Sequence, residues 1–576
     1  MRGYVPREMI RKQLRWEWVH TNLYRILERD NPFPNLRPTI AGLALAQERQ
    51  IRELEKLAGA HGVDMPTGRA RVQYRPFADA VDELLDREYQ LLHEYESLKD
   101  YFLSGTPYVP GLHSLVDSQT EQVNALMQLK QAVQAGKRRQ SEEAKPDYIL
   151  EPGFRLERVA SGLTFPTEIA FDDQGNRYVT ESGYAYGTPP GKGRVLRIEE
   201  GGSTTEVAGG FGGPVTGIVW RNGDFYVAEG AIGEEHGKGC GQITKVYADG
   251  RRETIVTGLR TCGDHFTGDV EVGPDGRLYF SVGTATNSAV IGTDNAAWLK
   301  LHPGFHDVPA ADTVLNGINF ISPNPLSEQR EPVVTGAYKP VGVPSRDGET
   351  IGGSLLANGV IYSCNPDGSD LRVVAHGLRN PFGLKFSPFN GNMYITDNGA
   401  DPRGSRQIRQ DWDNFWEIAP GGWYGFPDFF SGLPATQPHF HMYDQAKPTF
   451  LLKRHPELAG QPLVRFQPHS ASHKFDFCTN EAFGRPGDIY VAQLGASRSE
   501  PGEKLTGYKV VRADPATGQI FDFLVNRKGE TNTAGPIRPV AAKFGPRGDE
   551  LYVVDFGMLS KPQPGTGSLW RIVRSR

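Results

Sequence analysis

Apolar positions follow two different periods along the chain. Up to residue 136 they recur at steps of three and four residues, which predicts amphipathic helices over roughly 8–29, 37–61, 76–103 and 109–135. Glycine and proline fall between these segments and end each helix. Helices joined by short connections bury their apolar stripes against one another, so residues 1–136 are predicted to form a four-helix bundle.

From residue 151 to the end the period changes, after a charged stretch over 137–150 that predicts a solvated linker. Short runs of Val, Ile, Tyr and Phe alternate with Gly, Pro, Asp and Asn, which indicates short strands and tight turns. One phrase recurs six times: a strand end, a Gly-containing turn, and a new strand that opens with an aromatic residue. The tyrosines of the phrase are Tyr178, Tyr226, Tyr279, Tyr394, Tyr490 and Tyr552.

Six hairpin phrases predict a six-bladed β-propeller over residues 151–576. The first spacings are close to the length of a four-stranded blade, about 40–50 residues. The wider gaps after Tyr279 and Tyr394 then hold long insertions. A β-sandwich with repetitive turns is the alternative, but sandwich strands seldom repeat a whole phrase. Radial closure also removes exposed strand edges, which favours the propeller.

Composition narrows the class of protein. The 576 residues are 38% apolar and 23% charged, with a formal net charge of −5, so the chain is globular and lacks the basic surplus of a nucleic-acid binder. Mean hydropathy of −0.46 and the lack of a long apolar run predict no membrane span. No secretory signal is visible at the start, which predicts a cytoplasmic protein, with a cell-envelope or extracellular location left open.

Four cysteines are too few for a disulfide scaffold. Cys240 and Cys262 lie on neighbouring predicted strands and are able to form one disulfide, whereas Cys364 and Cys478 are interpreted as small buried apolar residues. Cys262 and His265 have the spacing of a metal-binding pair. No second pair accompanies them, so zinc is not predicted.

Polar residues interrupt the apolar stripes of the helical part. They are Glu17 and His20, Gln47 and Gln50, Glu88, and Gln119 and Gln122. Their spacing resembles the ferritin-like bundle, where Glu and Glu-x-x-His side chains bind two metal ions. Here both Glu-x-x-His positions read Gln-x-x-Gln, and a neutral amide neither balances metal charge nor matches imidazole as a ligand. We predict a metal-free bundle with a hydrogen-bonded polar layer, serving as scaffold, attachment module or homodimer surface.

Three stretches of the C-terminal part carry a family resemblance. Asp264–Gly268 reads Asp-His-Phe-Thr-Gly, Gly377–Leu384 reads Gly-Leu-Arg-Asn-Pro-Phe-Gly-Leu, and Gly421–Pro427 reads Gly-Gly-Trp-Tyr-Gly-Phe-Pro. Together with the opening stretch Gly153–Leu163, they resemble the glucose/sorbosone dehydrogenase family across residues 151–576. Members of that family are six-bladed propellers and include the soluble quinoprotein glucose dehydrogenases.

The resemblance implies an oxidoreductase that uses pyrroloquinoline quinone (PQQ) and Ca²⁺ to oxidise an aldose or a related aldehyde. In the family a histidine takes the proton of the sugar's anomeric hydroxyl while hydride passes to the quinone, and electrons then go to an acceptor that this sequence does not identify. Imidazole suits the base because it is largely neutral near pH 7. A quinone with three carboxylates needs guanidinium groups and a divalent cation.

Each functional position is carried over onto a residue of this chain. The resemblance assigns His265 as catalytic base, Asp264 as substrate-binding, Arg379, Asn380 and Arg538 as cofactor-binding, and Gly399, Ala400 and Asp413 as calcium ligands. Backbone carbonyls at residues 399 and 400 suit calcium, which prefers hard oxygen ligands. Structural interpretations stand beside these: a strand-capping histidine at 265, a salt-bridged blade residue at 379 and a loop carboxylate at 413.

Several positions depart from the family pattern. Thr284 stands where a carboxylate orients the base, Phe382 where glutamine is usual and Asp269 where arginine is usual, and a sugar-contacting glutamine before the second repeat is absent. These changes motivate an alternative, a non-catalytic binding or scaffold propeller, which a Phe382 ring filling the channel mouth would favour. A calcium-dependent lactonase would need a carboxylate cage that we cannot assemble from the sequence. Pro468–Lys474, with two histidines, is interpreted as a solvated loop.

Overall fold

The structure is a computed structural model of the chain. It describes residues 36–60, 109–140, 147–183, 192–230, 240–442, 447–496 and 506–575, together with scattered positions between 14 and 29 and between 80 and 92. The chain divides into two compact units, Met1–Lys145 and Pro146–Arg576. Across these described ranges, no helix is both long enough and apolar enough to cross a membrane.

Two long helices are described in the N-terminal unit, α1 over Arg37–Ala60 and α2 over Val109–Gln140. They match the second and fourth predicted segments. The first and third segments are described only at scattered positions, all of them helical, and their other residues lie outside the described part. Because α2 continues to Gln140, the first residues of the predicted linker are helical, and residues 141–146 lie outside the described part.

One apolar core joins residues of all four predicted segments. Its members include Tyr24, Leu27, Ile40, Leu43, Val81, Leu84, Leu126 and Leu129. The periodicity of the apolar stripes therefore located the buried faces correctly. A four-helix bundle of the ferritin-like type stays a prediction, because two of its segments are described only in part.

The predicted polar layer is present in this core. Its six fully buried members are Glu17, Gln47, Gln50, Glu88, Gln119 and Gln122. Gln47 donates to the Glu17 carboxylate and Gln119 donates to the Glu88 carboxylate, and the other two glutamines donate to Gln47 and Gln119. The same contacts therefore occur twice. His20, the predicted companion of Glu17, lies outside the described residues.

The C-terminal unit is built almost entirely of strands. In chain order they are β1 Tyr148–Leu150, β2 Phe154–Leu163, β3 Pro166–Phe171, β4 Arg177–Glu181, β5 Lys192–Ile198, β6 Thr204–Gly212, β7 Val215–Arg221, β8 Asp224–Gly230, β9 Cys240–Val246, β10 Arg252–Arg260, β11 Thr267–Val272, β12 Leu278–Val282, β13 Thr313–Asn316, β14 Asn319–Pro323, β15 Pro332–Gly336, β16 Asp347–Ile351, β17 Val360–Cys364, β18 Arg372–His376, β19 Pro381–Phe386, β20 Met393–Asp397, β21 Asp413–Ile418, β22 Phe429–Phe430, β23 Leu433–Pro434, β24 Val464–Phe466, β25 Ser472–Phe477, β26 Ile489–Gln493, β27 Lys509–Asp514, β28 Gln519–Asn526, β29 Pro539–Phe544, β30 Glu550–Asp555 and β31 Gly567–Arg574. A short helix, α3 over Ala296–Leu301, lies between β12 and β13.

Most of these strands form the predicted six-bladed propeller, whereas β13–β16, β22 and β23 form three separate two-stranded sheets. The blades are β3–β6, β7–β10, β11-β12-β17-β18, β19-β20-β21-β24, β25–β28 with β1 added at the outer edge, and β29–β31 with β2. The first strand of each blade contacts the first strand of the next, from β3 through β7, β11, β19, β25 and β29 back to β3. Pairing of β2 with β31 joins the beginning of this unit to its end, so the ring is closed by main-chain hydrogen bonds.

Every first strand has a β-bulge near its beginning, and all six tyrosines of the repeated phrase lie on second strands. An apolar cluster fills each gap between neighbouring blades. A bulge places one extra residue on the strand and redirects its side chain. The residues that begin the first strands are therefore positioned by the repeat itself.

Two long insertions, residues 283–359 between β12 and β17 and residues 419–463 between β21 and β24, pack against each other. Their shared core includes Leu315 and Tyr338 from the first and Trp423 and Phe430 from the second. The wide spacings after Tyr279 and Tyr394 had predicted both insertions.

The cysteines follow the sequence interpretation where they are described. Cys262 is disulfide-bonded, and Cys364 and Cys478 are free and buried. The side chain of its predicted partner, Cys240, lies outside the described residues.

Candidate functional site

The two motifs that precede β11 and β19 meet at one end of the propeller. A Cβ atom placed on Gly283 would lie 2.4 Å from the His265 Cβ, 3.1 Å from Asn380 Oδ1 and 3.3 Å from the Arg379 carbonyl oxygen. The Thr284 N–H donates to that same carbonyl at 2.7 Å. Glycine at 283 is therefore what lets these residues approach one another.

His265 is buried and held in one orientation. Its Nδ1 lies 2.9 Å from the Thr284 carbonyl oxygen and 3.0 Å from Thr284 Oγ1. Because a carbonyl oxygen only accepts, Nδ1 carries the proton and Nε2 keeps its lone pair. The Thr284 hydroxyl itself donates to the Thr286 carbonyl at 2.7 Å. A backbone carbonyl thus orients the imidazole where the family pattern has a carboxylate.

The surroundings of His265 disfavour its protonated form. Burial lowers the pKa of His265 well below its ordinary value, and the positive charges of Arg379 and Arg403 lower this pKa further. His265 is therefore neutral at physiological pH. Its Nε2 has no hydrogen-bond partner among the described residues.

Arg379 is buried and ties three loops together. Its Nε and Nη2 donate to the carbonyl and side-chain oxygens of Asn287 at 3.0 and 2.7 Å, and Nη1 donates to the Asn398 carbonyl at 3.1 Å. Asp401 Oδ2 lies 3.6 Å from Nη2. The neighbouring Asn380 donates to the Asn398 side chain at 3.1 Å. Both predicted cofactor residues thus lie beside His265, and Arg379 also has a structural role.

Asp264 is paired with an arginine that the sequence did not indicate. Arg403 Nη1 lies 2.8 Å from Asp264 Oδ2 and 2.8 Å from Asp294 Oδ2, and its Nε lies 3.2 Å from Asp401 Oδ2. His469 Nδ1 contacts the other oxygen of Asp401 at 3.1 Å. The site is therefore a cluster of alternating charges around His265. No local pattern connects Arg403 with Asp264, because 139 residues separate them.

The three predicted calcium ligands lie together, but they differ in what they contact. Gly399 N–H donates to Asp413 Oδ1 at 3.0 Å, while Asp413 Oδ2 accepts from Ser470 Oγ and Ser472 N–H at 2.9 and 2.7 Å. The interpretation of Asp413 as a loop carboxylate is wrong, because Asp413 is buried at the start of β21, where its carboxylate links Gly399 to Ser470 and Ser472. The carbonyl oxygens of Gly399 and Ala400 accept no hydrogen bond from a described residue. Among the described side chains, no group of three or more His, Cys, Asp or Glu residues is arranged to hold a metal.

Arg538, the third predicted cofactor residue, is fully buried before β29. Its Nε donates to Glu530 at 2.6 Å, and Nη1 donates to the carbonyl oxygens of residues 494–496. Its Nη2 donates to Tyr508 and Ser560. All its donors are used within the fold, so Arg538 stabilises loops of blades 5 and 6 and is not available to a cofactor.

Phe382 and part of Pro468–Lys474 lie at the beginnings of the first strands of blades 4 and 5. Phe382 and His473 stack with ring centroids 4.0 Å apart, at the bulges of β19 and β25. Phe382 also packs against the apolar cluster that blades 1 and 6 share. The solvated-loop interpretation is wrong for His473 and Lys474, which are buried in β25, because the strand begins at Ser472.

A buried ion network lies next to this aromatic pair. Lys474 Nζ contacts Glu168 Oε2 at 2.8 Å and Asp269 Oδ1 at 2.7 Å, and all three side chains are almost fully buried. Burial raises the pKa of Asp269 to about 6, although Lys474 opposes this shift. The departure at Asp269 is thus explained by a structural ion pair between blades 3 and 5.

Comparison with known proteins finds only distant structural similarities. No family model matches the chain, and no curated protein matches it. Among solved structures, a provisionally assigned oxidoreductase (glucose dehydrogenase) from Thermus thermophilus is 17% identical, with a TM-score of 0.43, over 73% of this chain and 100% of that chain. An exo-β-1,3-galactanase from Clostridium thermocellum is 10% identical, with a TM-score of 0.15, over 45% of this chain and 56% of that chain. At these identities and TM-scores, neither similarity bears on the function of this chain. The propeller rests on its own strand order.

Proposed function

We propose that this protein is an oxidoreductase that acts on a hydroxyl group of an aldose or a related sugar aldehyde, with His265 as the base. One observation carries the proposal: the Thr284 carbonyl oxygen, 2.9 Å from His265 Nδ1, holds the imidazole in the tautomer whose Nε2 lone pair is available. The resemblance of the motifs around His265 and Arg379 supports the substrate class.

The chemistry of His265 follows from its environment. A neutral imidazole accepts a proton from a hydroxyl group, but its low pKa makes it a weak base. Proton transfer to Nε2 is therefore favourable only while the carbon that bears this hydroxyl group loses hydride. As that carbon becomes a carbonyl carbon, the O–H group becomes more acidic. Burial excludes water from the imidazole and strengthens the effect of nearby charges.

The resemblance implies PQQ and Ca²⁺. The described residues fit a version of that site with fewer binding residues. The carbonyl oxygens of Gly399 and Ala400 are available to a hard cation. Arg379 donates three hydrogen bonds within the fold and its Nη2 also faces Asp401 at 3.6 Å, so it would offer a quinone carboxylate its positive charge and one N–H donor of Nη1, with Asn380 beside it. When bound, the quinone supplies the hydride acceptor. Arg538 does not belong to this set.

Reconstitution tests the proposal. Purified full-length protein is incubated with PQQ and Ca²⁺, quinone binding is followed by tryptophan fluorescence, and dye reduction is measured with a panel of aldoses. His265→Ala is expected to keep quinone binding and to lose activity by about 10²–10⁴-fold, the usual contribution of a general base. His376→Ala is the matched control, because the described residues give this half-buried imidazole no hydrogen bond. Wild-type activity in His265→Ala would refute the role of the base.

Phe382 favours a second candidate function, a propeller that binds a ligand without redox chemistry. Its ring stacks on His473 and packs on the cluster of blades 1 and 6, at the position where the resembling family has glutamine, and a ring held there would narrow the space for a flat tricyclic cofactor. Phe382→Gln, which introduces the residue usual in the resembling family, separates the two candidates. If the variant binds PQQ at micromolar concentration and the wild type does not, the non-catalytic candidate holds. Binding by the wild type excludes it.

A further inference from the structure

The residue that the resemblance assigns to sugar binding is not free to bind a sugar. Asp264 Oδ1 accepts from Asn295 Nδ2 at 3.3 Å, and Oδ2 is paired with Arg403 at 2.8 Å. The Asp264 side chain is only 8% exposed, whereas that of Arg403 is 34% exposed. A molecule that approaches His265 therefore meets the guanidinium group before it meets the carboxylate.

Arg403 is anchored on one side and open on the other. Nη1 is held between Asp264 and Asp294, and Nε is held by Asp401. No acceptor for Nη2 is found among the described residues, so two N–H donors of a rigid planar group remain. We infer that Arg403 is the substrate-orienting residue of this site, and that its Nη2 binds oxygen atoms of the substrate beside His265.

The geometry also indicates the class of substrate, an inference that rests on the proposed function. The two N–H bonds on one guanidinium nitrogen diverge by about 120°, so they suit two oxygen atoms about 5 Å apart, as in equatorial hydroxyls on alternate carbons of a sugar ring. Three carboxylates, those of Asp264, Asp294 and Asp401, surround the two guanidinium groups of Arg379 and Arg403. All three carboxylates contact Arg403, whereas Arg379 faces only Asp401, so an anion is disfavoured at Arg403 but not at Arg379. At Arg403 a neutral polyhydroxylated molecule is therefore favoured over a sugar acid or a sugar phosphate.

Arg403 also acts on the base. The charged groups that act on His265 are Arg379, Arg403 and Asp401, and the two arginines lower the pKa of the imidazole while the aspartate raises it. Removing the charge at 403 is therefore expected to raise the pKa of His265. Replacing Arg403 by lysine keeps a positive charge but loses the planar pair of donors. The two substitutions thus separate the electrostatic role from the orienting role.

The test uses Arg403→Ala and Arg403→Lys in the full chain, with Arg330→Ala as control, since Arg330 is exposed in the first insertion. The pKa of His265 is measured by NMR titration of labelled imidazoles, with its signal assigned by loss in His265→Gln. KM and kcat are measured with glucose and with 2-deoxyglucose, which lacks the oxygen on carbon 2 and therefore one member of the pair on carbons 2 and 4. Thermal unfolding identifies any variant that is misfolded.

We expect KM for glucose to rise about tenfold or more in both Arg403 variants, the usual effect of losing a charged hydrogen-bond donor. The preference for glucose over 2-deoxyglucose should fall in both, and the pKa of His265 should rise in Arg403→Ala only. If a folded, active Arg403→Ala protein keeps its KM, its preference for glucose over 2-deoxyglucose and the pKa of His265, the inference about Arg403 is wrong. The proposed function would not be affected by that result. An inactive wild type whose His265 pKa still rises in Arg403→Ala would refute the proposed function and the orienting role, leaving only the electrostatic contact.

Discussion

Replacing Lys474 by methionine tests whether the buried ion network of Lys474, Glu168 and Asp269 stabilises the propeller. The change removes the ammonium group that contacts Glu168 at 2.8 Å and Asp269 at 2.7 Å, and leaves two buried carboxylates facing each other. Breaking a buried pair in this way costs about 3–5 kcal/mol of the free energy of unfolding. For a unit the size of Pro146–Arg576, the unfolding entropy per residue converts this cost into a fall in Tm of about 4 °C.

The matched control is Lys509→Met. Lys509 also contacts one carboxylate, Asp522, at 2.7 Å, but that carboxylate is 57% exposed. Solvent screening limits such a pair to about 0–1 kcal/mol. A triple variant that adds Glu168→Gln and Asp269→Asn to Lys474→Met should recover part of the loss, because it removes the uncompensated charges. Differential scanning calorimetry on the three proteins measures all these differences.

The pH dependence makes this prediction sharper. The pKa of Asp269 in the folded protein is about 6, above its ordinary value of 3.8, so its contribution to stability is complete below 3.8 and is lost as pH rises through 6. Loss of Lys474 raises this pKa further. The free energy of unfolding that Lys474→Met loses relative to wild type should therefore be larger at pH 8 than at pH 5. Equal deficits at the two pH values, or a deficit no larger than that of Lys509→Met, would refute the reasoning.

Three further predictions concern single positions. Thr284→Asp, which introduces the carboxylate of the family pattern beside His265 Nδ1, should raise the pKa of that imidazole, as NMR titration would show. Burial raises the pKa of Asp307 to about 7, so wild-type unfolding free energy should fall between pH 6 and pH 8, and Asp307→Asn should flatten that slope in urea titrations. Gly377→Ala would place its Cβ 2.3 Å from Trp423 and should cost about 1–3 kcal/mol more than Gly421→Ala, which has a similar φ but no neighbour within 4 Å.

Local patterns predicted the architecture well. The six turn phrases gave the number of blades because each hairpin is specified by residues that are adjacent in sequence. The apolar stripes and the four glutamines likewise predicted a buried polar layer in the helical unit, since helical period alone decides which side chains share a face.

The candidate site depended on contacts that no local pattern contains. His265 and Arg379 were found because each lies in a motif, whereas Arg403 lies in none and reaches Asp264 only when the loops after β10 and β20 are brought together. Arg538 precedes the first residue of β29 as Asn380 precedes that of β19, yet its neighbours use every donor of its guanidinium group.

The sequence by itself determined the number of blades, the helical segments and the faces that these segments bury, because hydrophobic period and turn chemistry act over a few residues. Only the tertiary structure decided which blades are joined by ion pairs, that Phe382 stacks on His473, and that a backbone carbonyl orients His265. The physical reason is that closure of the ring places the beginnings of distant strands side by side. A side chain there takes its hydrogen bonds and its pKa from residues far away in sequence.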